Sequence, residues 1–247
     1  MRILRGKNIM ANFNTHITVA AVASGLLSTL CLQVGFIGAS DALLLTLAGA
    51  IGGILPDVDL QHSYPSRIIF SLIGMIIAFL WIFSTKNELA IIELWIIGLI
   101  IYATIRYPIW MIFHKYTKHR GAFHSLIAAF AFAFFSTAIS FNFFAKTAFI
   151  SWLIGMVVFY GFIIHLALDE IYSVDFMNRR IKRSFGTAMK IVDTKQWASS
   201  GIIIGIAIGS FWLSPKPTVF INTLLSAETY QIIWDRMLPL GINSLLQ

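Results

Sequence analysis

Residues 17–38 read ITVAAVASGLLSTLCLQVGFIG, twenty-two positions without an Asp, Glu, Lys or Arg. The hydrocarbon core of a bilayer asks for about 20 apolar residues of helix, so this stretch is long enough to cross one. Comparable runs follow at short intervals, at 68–83, 89–113, 125–145, 147–168 and 198–213. A shorter run, Ala42 to Leu55, is rich in Gly and is ended by Pro56; it reads as a short span packed on its neighbours or as a re-entrant helix. With 58% of residues hydrophobic and 12% charged, an ordinary soluble domain is excluded, since its charged share is about a quarter. The expected fold is all-α, a polytopic membrane helix bundle with about seven hydrophobic spans. We read 1–247 as a single integral membrane domain: a site-bearing core over about 16–170, a basic loop over about 171–197, and a C-terminal span and tail over 198–247.

One cysteine, Cys31, forms no internal disulfide and excludes a multi-cysteine metal site. Arg2, Arg5 and Lys7 are separated from the first apolar run by Asn12, Asn14, Thr15 and His16, and the run is too long for a signal core, so a retained helix is expected. Met10 is an alternative initiator. The net charge of +7 is explained by topology. With the N-terminus cytoplasmic, thirteen Lys and Arg fall at cytoplasmic helix ends and four, Lys86, Lys146, Lys216 and Arg236, at the opposite ends, while Arg106 lies inside a span. Membrane lipids are therefore the expected surroundings, and no nucleic-acid partner is predicted.

All six histidines, His16, His62, His114, His119, His124 and His165, fall at or just beyond the predicted cytoplasmic helix ends, as do Asp57, Asp59, Asp169 and Glu170. Loops near headgroups are polar in any case; the sharper reading is that four segments converge on one ligand cluster. Asn14-Thr15-His16 opens the first helix. In GGILPDVDLQHS, residues 52–63, Pro56 stops the helix and biases Leu55 toward an extended conformation, and in an extended turn Asp57 and Asp59 share a side. Two carboxylates there repel unless a cation or donor lies between them. In HKYTKHRGAFHSL, residues 114–126, Gly121 permits a turn between His119 and His124. Arg120 has the fork geometry that matches phosphate or carboxylate oxygens. His165 and Asp169 form an H-x-x-x-D whose i, i+4 spacing puts both side chains on one helix face.

Imidazole and carboxylate are ligands for zinc or another divalent first-row ion. His16, Asp57, His124, His165 and Asp169 are the candidate ligands, with Asp59, His62 and His119 in reserve. That surplus suggests two ions, or one ion with residues that orient its ligands.

N-T-H, G-x-L-P-D-x-D, H-R-G-x-x-H-S and H-x-x-x-D, in this order between His16 and Asp169, resemble the LexA-binding, inner-membrane-associated metal-dependent hydrolase family often called YdjM-like. The resemblance implies a multi-pass protein of the bacterial inner membrane with hydrolytic activity on an unassigned substrate. A more distant likeness, carried by His16, Gly53 to Asp57, and His165 with Asp169, is to the zinc-dependent phospholipase C and S1/P1 nuclease group. That group's second zinc-binding H-x-x-x-E has no counterpart here.

The function expected is therefore a membrane metallohydrolase. It would hold one or two divalent ions, zinc first, and cleave a small-molecule or lipid phosphoester at the cytoplasmic face. Asp59 or His119 is the expected proton-transfer partner, and Arg120 the group that steadies developing negative charge. The alternative is a non-catalytic regulator, docking a cytoplasmic protein on the basic Asn178 to Lys195 stretch, or a metal-stabilised scaffold. A transporter fits less well, because its site would lie near the bilayer midplane and the spans carry almost no charge apart from Glu93 and Arg106.

Overall fold

A computed structural model describes residues 13–60, 63–85, 89–117, 121–175, 180–181 and 189–237. The apolar runs become α1 (Phe13–Gln33), α2 (Ala39–Gly52), α3 (Tyr64–Ser84), α4 (Ile91–Thr104), α5 (Trp110–Tyr116), α6 (Leu126–Asn142), α7 (Ala148–Ile171) and α8 (Trp197–Leu213). A π-turn, Ile105–Ile109, joins α4 to α5 around Pro108, whose missing N–H breaks the regular ladder. Five helical stretches are long and apolar enough to cross a membrane, and α2 and α6 are shorter apolar helices in the two remaining positions. The result is the expected all-α membrane bundle. The C-terminal tail carries two further helices, α9 (Thr218–Leu225) and α10 (Ala227–Met237). Phe220 of α9 packs on Phe149 and Trp152 near the start of α7.

α7 is the central post, with its buried residues running from Ser151 to Leu166. α1 turns a ridge of Ala20, Ser24, Ser28 and Cys31 inward, and α2 answers with Leu45, Gly49 and Gly52. Small residues let backbones approach closely where lipid supplies no hydrophobic drive between helices. At the α2–α7 crossing this approach is obligatory. A Cβ on Gly161 would overlap the Gly49 carbonyl oxygen and lie 3.0 Å from the Gly53 nitrogen, and one on Gly52 would meet the Val158 backbone.

α3 packs on α4, and α6 packs on α7 and α8; α3 also packs on a 3-10 turn, Leu55–Asp59, that continues from the end of α2. That turn corrects one expectation. Leu55 is not extended but opens the 3-10 turn, with Pro56 in its first positions, where a missing N–H costs nothing. The turn is 3-10 rather than extended, yet both carboxylates reach the same residue, His124, each at 3.8 Å.

Candidate metal centre

Four helix ends meet at one end of the bundle: the starts of α1 and α6 and the ends of α2 and α7. Two helix N-termini and two C-termini largely cancel one another's dipoles, so the side chains set the local field.

His16 lies in the first turn of α1 and His165 in the last two turns of α7; their rings stack with centroids 3.8 Å apart and planes 18° from parallel. His165 is wholly buried and donates from Nδ1 to the Gly53 carbonyl at 2.7 Å, since a carbonyl only accepts. Its tautomer is thereby set. In a neutral imidazole the other nitrogen, Nε2, then carries a lone pair. That buried Nε2 has no hydrogen-bond partner, and a carboxylate oxygen, Asp57 Oδ1, lies 3.7 Å away. Two acceptors face one another across a gap too wide for a hydrogen bond.

His124 directly precedes the N-cap of α6. Its amide donates to the Gly121 carbonyl at 3.1 Å, closing the turn that the glycine was expected to allow. Ser125, the cap, accepts from the Ala128 amide and donates to the Ala122 carbonyl. Lys190 and Ile191 then offer carbonyls to the Leu126 and Ile127 amides, so a backbone strap satisfies donors that a helix start leaves open. Held in this way, the wholly buried His124 turns Nε2 to Asp57 Oδ1 and Asp169 Oδ2, each at 3.8 Å, and Nδ1 to Asp59 Oδ2, also at 3.8 Å. Asp57 and Asp59 thus bracket one imidazole from its two nitrogens. His16 Nε2 lies 3.3 Å from Asp169 Oδ1.

The structure brings together His16, Asp57, Asp59, His124, His165 and Asp169. Two triads have ligand atoms within 4.8 Å of one another, His16–Asp57–His165 and His124–His165–Asp169. Two ligands on a tetrahedral zinc, with bonds of about 2.0 Å, sit about 3.3 Å apart. Within the triads, His165 Nε2 and Asp57 Oδ1 lie 3.7 Å apart and His124 Nε2 and Asp169 Oδ2 3.8 Å apart, slightly more than that spacing. Both triads need His165, and its single free lone pair serves one ion, so the triads are alternatives. The imidazoles are buried, whereas the side chains of Asp57 and Asp169 keep 17% and 12% of their surface, so the approach from solvent is over the carboxylates.

His62, His119 and Arg120 lie outside the described residues. His114 belongs to a different group: its Nε2 shares a 2.7 Å hydrogen bond with the buried Ser66 hydroxyl, and Trp110 Nε1 donates to the same oxygen at 2.8 Å, pinning α5 to the start of α3. Sequence reading had no place for the Gly53 carbonyl. Its signal was the adjacent pair Gly52-Gly53 opposite a glycine in the span that bears His165.

The model of the family described as YdjM inner membrane protein matches residues 10–177, more than half of the chain and all of the described His/Asp cluster. No curated protein and no solved structure matches.

Proposed function

The chain belongs to the YdjM inner membrane protein family, and from that premise we propose that it is a membrane-embedded, metal-dependent hydrolase that cleaves a phosphoester at the cytoplasmic face. The observation that carries the metal is His165. Its Nδ1 is committed to the Gly53 carbonyl, and its buried Nε2 lone pair faces an Asp57 oxygen at 3.7 Å with no hydrogen-bond partner. A histidine fixed by a backbone carbonyl on one nitrogen and bare on the other is the usual arrangement of a ligating imidazole. The donor set of imidazoles and carboxylates without cysteine suits a hydrolytic site.

His16, Asp57, His124, His165 and Asp169 would hold the ion. A divalent cation there supplies a lowered pKa for water and polarises a phosphoryl oxygen. Gly53 orients His165, and Asp59 orients His124 by facing its Nδ1. In this reading Asp59 positions His124, and the proton transfer that the sequence suggests for Asp59 or His119 is assigned to His119. Asp57 and Asp169 form the water-facing rim through which substrate arrives. His119 and Arg120 enter the proposal as proton carrier and anion contact.

Elemental analysis of the purified full chain, with phosphoester hydrolysis followed with and without chelator, tests this reading. We expect bound metal and chelator-sensitive turnover, with the metal lost in His165→Ala and Asp169→Asn proteins that still insert into membranes. Full metal occupancy in both variants overturns the centre. Metal without chelator-sensitive turnover overturns the hydrolase and favours the scaffold.

A further inference from the structure

Beside the ligand cluster, a cleft of about 240 Å³ opens between α3, α6 and α8. Among its lining residues all are apolar. Its inner end is made by Leu55 and Val58, which alternate with the site carboxylates along the 3-10 turn, and by Phe123, which adjoins His124 in sequence. Its mouth is lined by Ile73 on α3 and Ile206 on α8, 41% and 48% exposed, and its far end by Phe135 on α6, 47% exposed. From Ala128 to Phe135 the cleft follows about 10 Å of the α6 axis, away from the site and along the bundle.

A cleft of this size leaves its walls short of the close packing found elsewhere between helices. It arises from the topology: α3 leans on α4, α6 on α7 and α8, and the 3-10 turn helps to join the two groups at the site end. Both helices at the mouth are candidate membrane spans, so the mouth faces hydrocarbon. The polar end abuts imidazoles and carboxylates, and the apolar end lies at the depth of acyl chains. We propose that the cleft is the acyl-chain subsite of a lipid phosphoester substrate, whose phosphate head lies at the His/Asp cluster. This rests on the hydrolase reading for its polar half, while the apolar half stands on shape and lining alone.

The test reconstitutes the full chain in phosphatidylglycerol vesicles containing a small fraction of the same lipid with a mid-chain diazirine. Labelled residues are mapped after illumination. Labelling should concentrate on the cleft walls by at least fivefold over Ile96 and Leu99, which project from α4 at 54% and 65% exposure. The double variant Ile73→Trp, Ile206→Trp fills the mouth and should remove that excess. It should also raise KM for phosphatidylglycerol at least tenfold more than KM for p-nitrophenyl phosphate. Leu72→Trp, of similar exposure on α3 but outside the lining, should change neither. Equal labelling of cleft and α4 means annular lipid only and overturns the subsite. Chelator-sensitive turnover with unchanged lipid KM in the double variant overturns the subsite and leaves the hydrolase standing. Focused labelling without turnover on any phosphoester keeps the lipid-binding cleft and overturns the hydrolase.

Discussion

Replacing Gly161 by alanine tests how the site is held, because this glycine touches no ligand side chain and yet sets where two of them lie. Its new Cβ would overlap the Gly49 carbonyl oxygen, whereas carbon–oxygen contacts settle at about 3.3 Å, so the α2–α7 crossing must open by on the order of 1 Å. Overpacking of this kind costs about 1–3 kcal/mol, which for a chain of this size lowers Tm by roughly 2–4 °C per kcal/mol. The same displacement moves Gly53, which accepts the His165 Nδ1 hydrogen bond at 2.7 Å, and the turn bearing Asp57. Loss of an orienting partner of a ligand costs about 10–100-fold in metal affinity, and G161A should fall by at least that much. Differential scanning fluorimetry and competitive metal titration on the full chain in detergent measure the two effects. Gly205 on α8 is the control: a Cβ there meets nothing within 4 Å, so G205A should keep its metal affinity and gain about 0.5–1 kcal/mol from restricted backbone freedom. Wild-type stability and affinity in G161A, or equal damage from G205A, would refute the reasoning.

Asp59→Asn should weaken metal binding about 10–100-fold without abolishing it, as befits a group behind His124, whereas Asp57→Asn should lower occupancy far more; metal titration separates them. Ser66→Ala removes the oxygen shared by His114 and Trp110, which costs about 1–3 kcal/mol, and should lower Tm while metal content stays at the wild-type level. The strap is pH-sensitive. Burial works to raise the pKa of Asp193, but the Lys190 ammonium and the Lys195 and Gln196 amides outweigh it and hold the carboxyl below the usual carboxylate range. A depressed carboxyl stabilises fully above its unfolded value of about 3.9, and the contribution fades as pH falls through the lower folded value. Hydrogen exchange at the Leu126 and Ile127 amides, which the strap bonds, should therefore accelerate at acidic pH beyond the intrinsic trend, and Asp193→Asn should remove that extra dependence.

Much of the bundle could be read from hydropathy because lipid contact demands long uncharged helices, and the apolar runs returned as helices within a few residues of their sequence limits. α9 and α10 were not anticipated, since helices this short carry too little apolar length to register as spans. At the site, the i, i+4 pair His165 and Asp169 was legible because helical periodicity is local. The conformation at Leu55 was misjudged for the opposite reason: a proline turn can run extended or 3-10, and here the turn is 3-10 and packs on α3 and α7. The Gly53 carbonyl was out of reach, because a backbone acceptor has no residue type to announce it. His114 was grouped with the other histidines by position alone, and its partner Ser66 lies 48 residues away in the chain.

α2 has only fourteen residues, about 21 Å of axis, against a hydrocarbon core of about 30 Å. With its other end moored by the Asp41–Lys146 ion pair, the aspartate-bearing turn hangs below the level that a full-length span would reach. Water and headgroups must therefore dip to meet it, and the surrounding leaflet will dimple there. If the proposed hydrolase reading holds, turnover should track the chain length of the host lipids, rising in thin bilayers and falling in thick ones, with every protein atom unchanged.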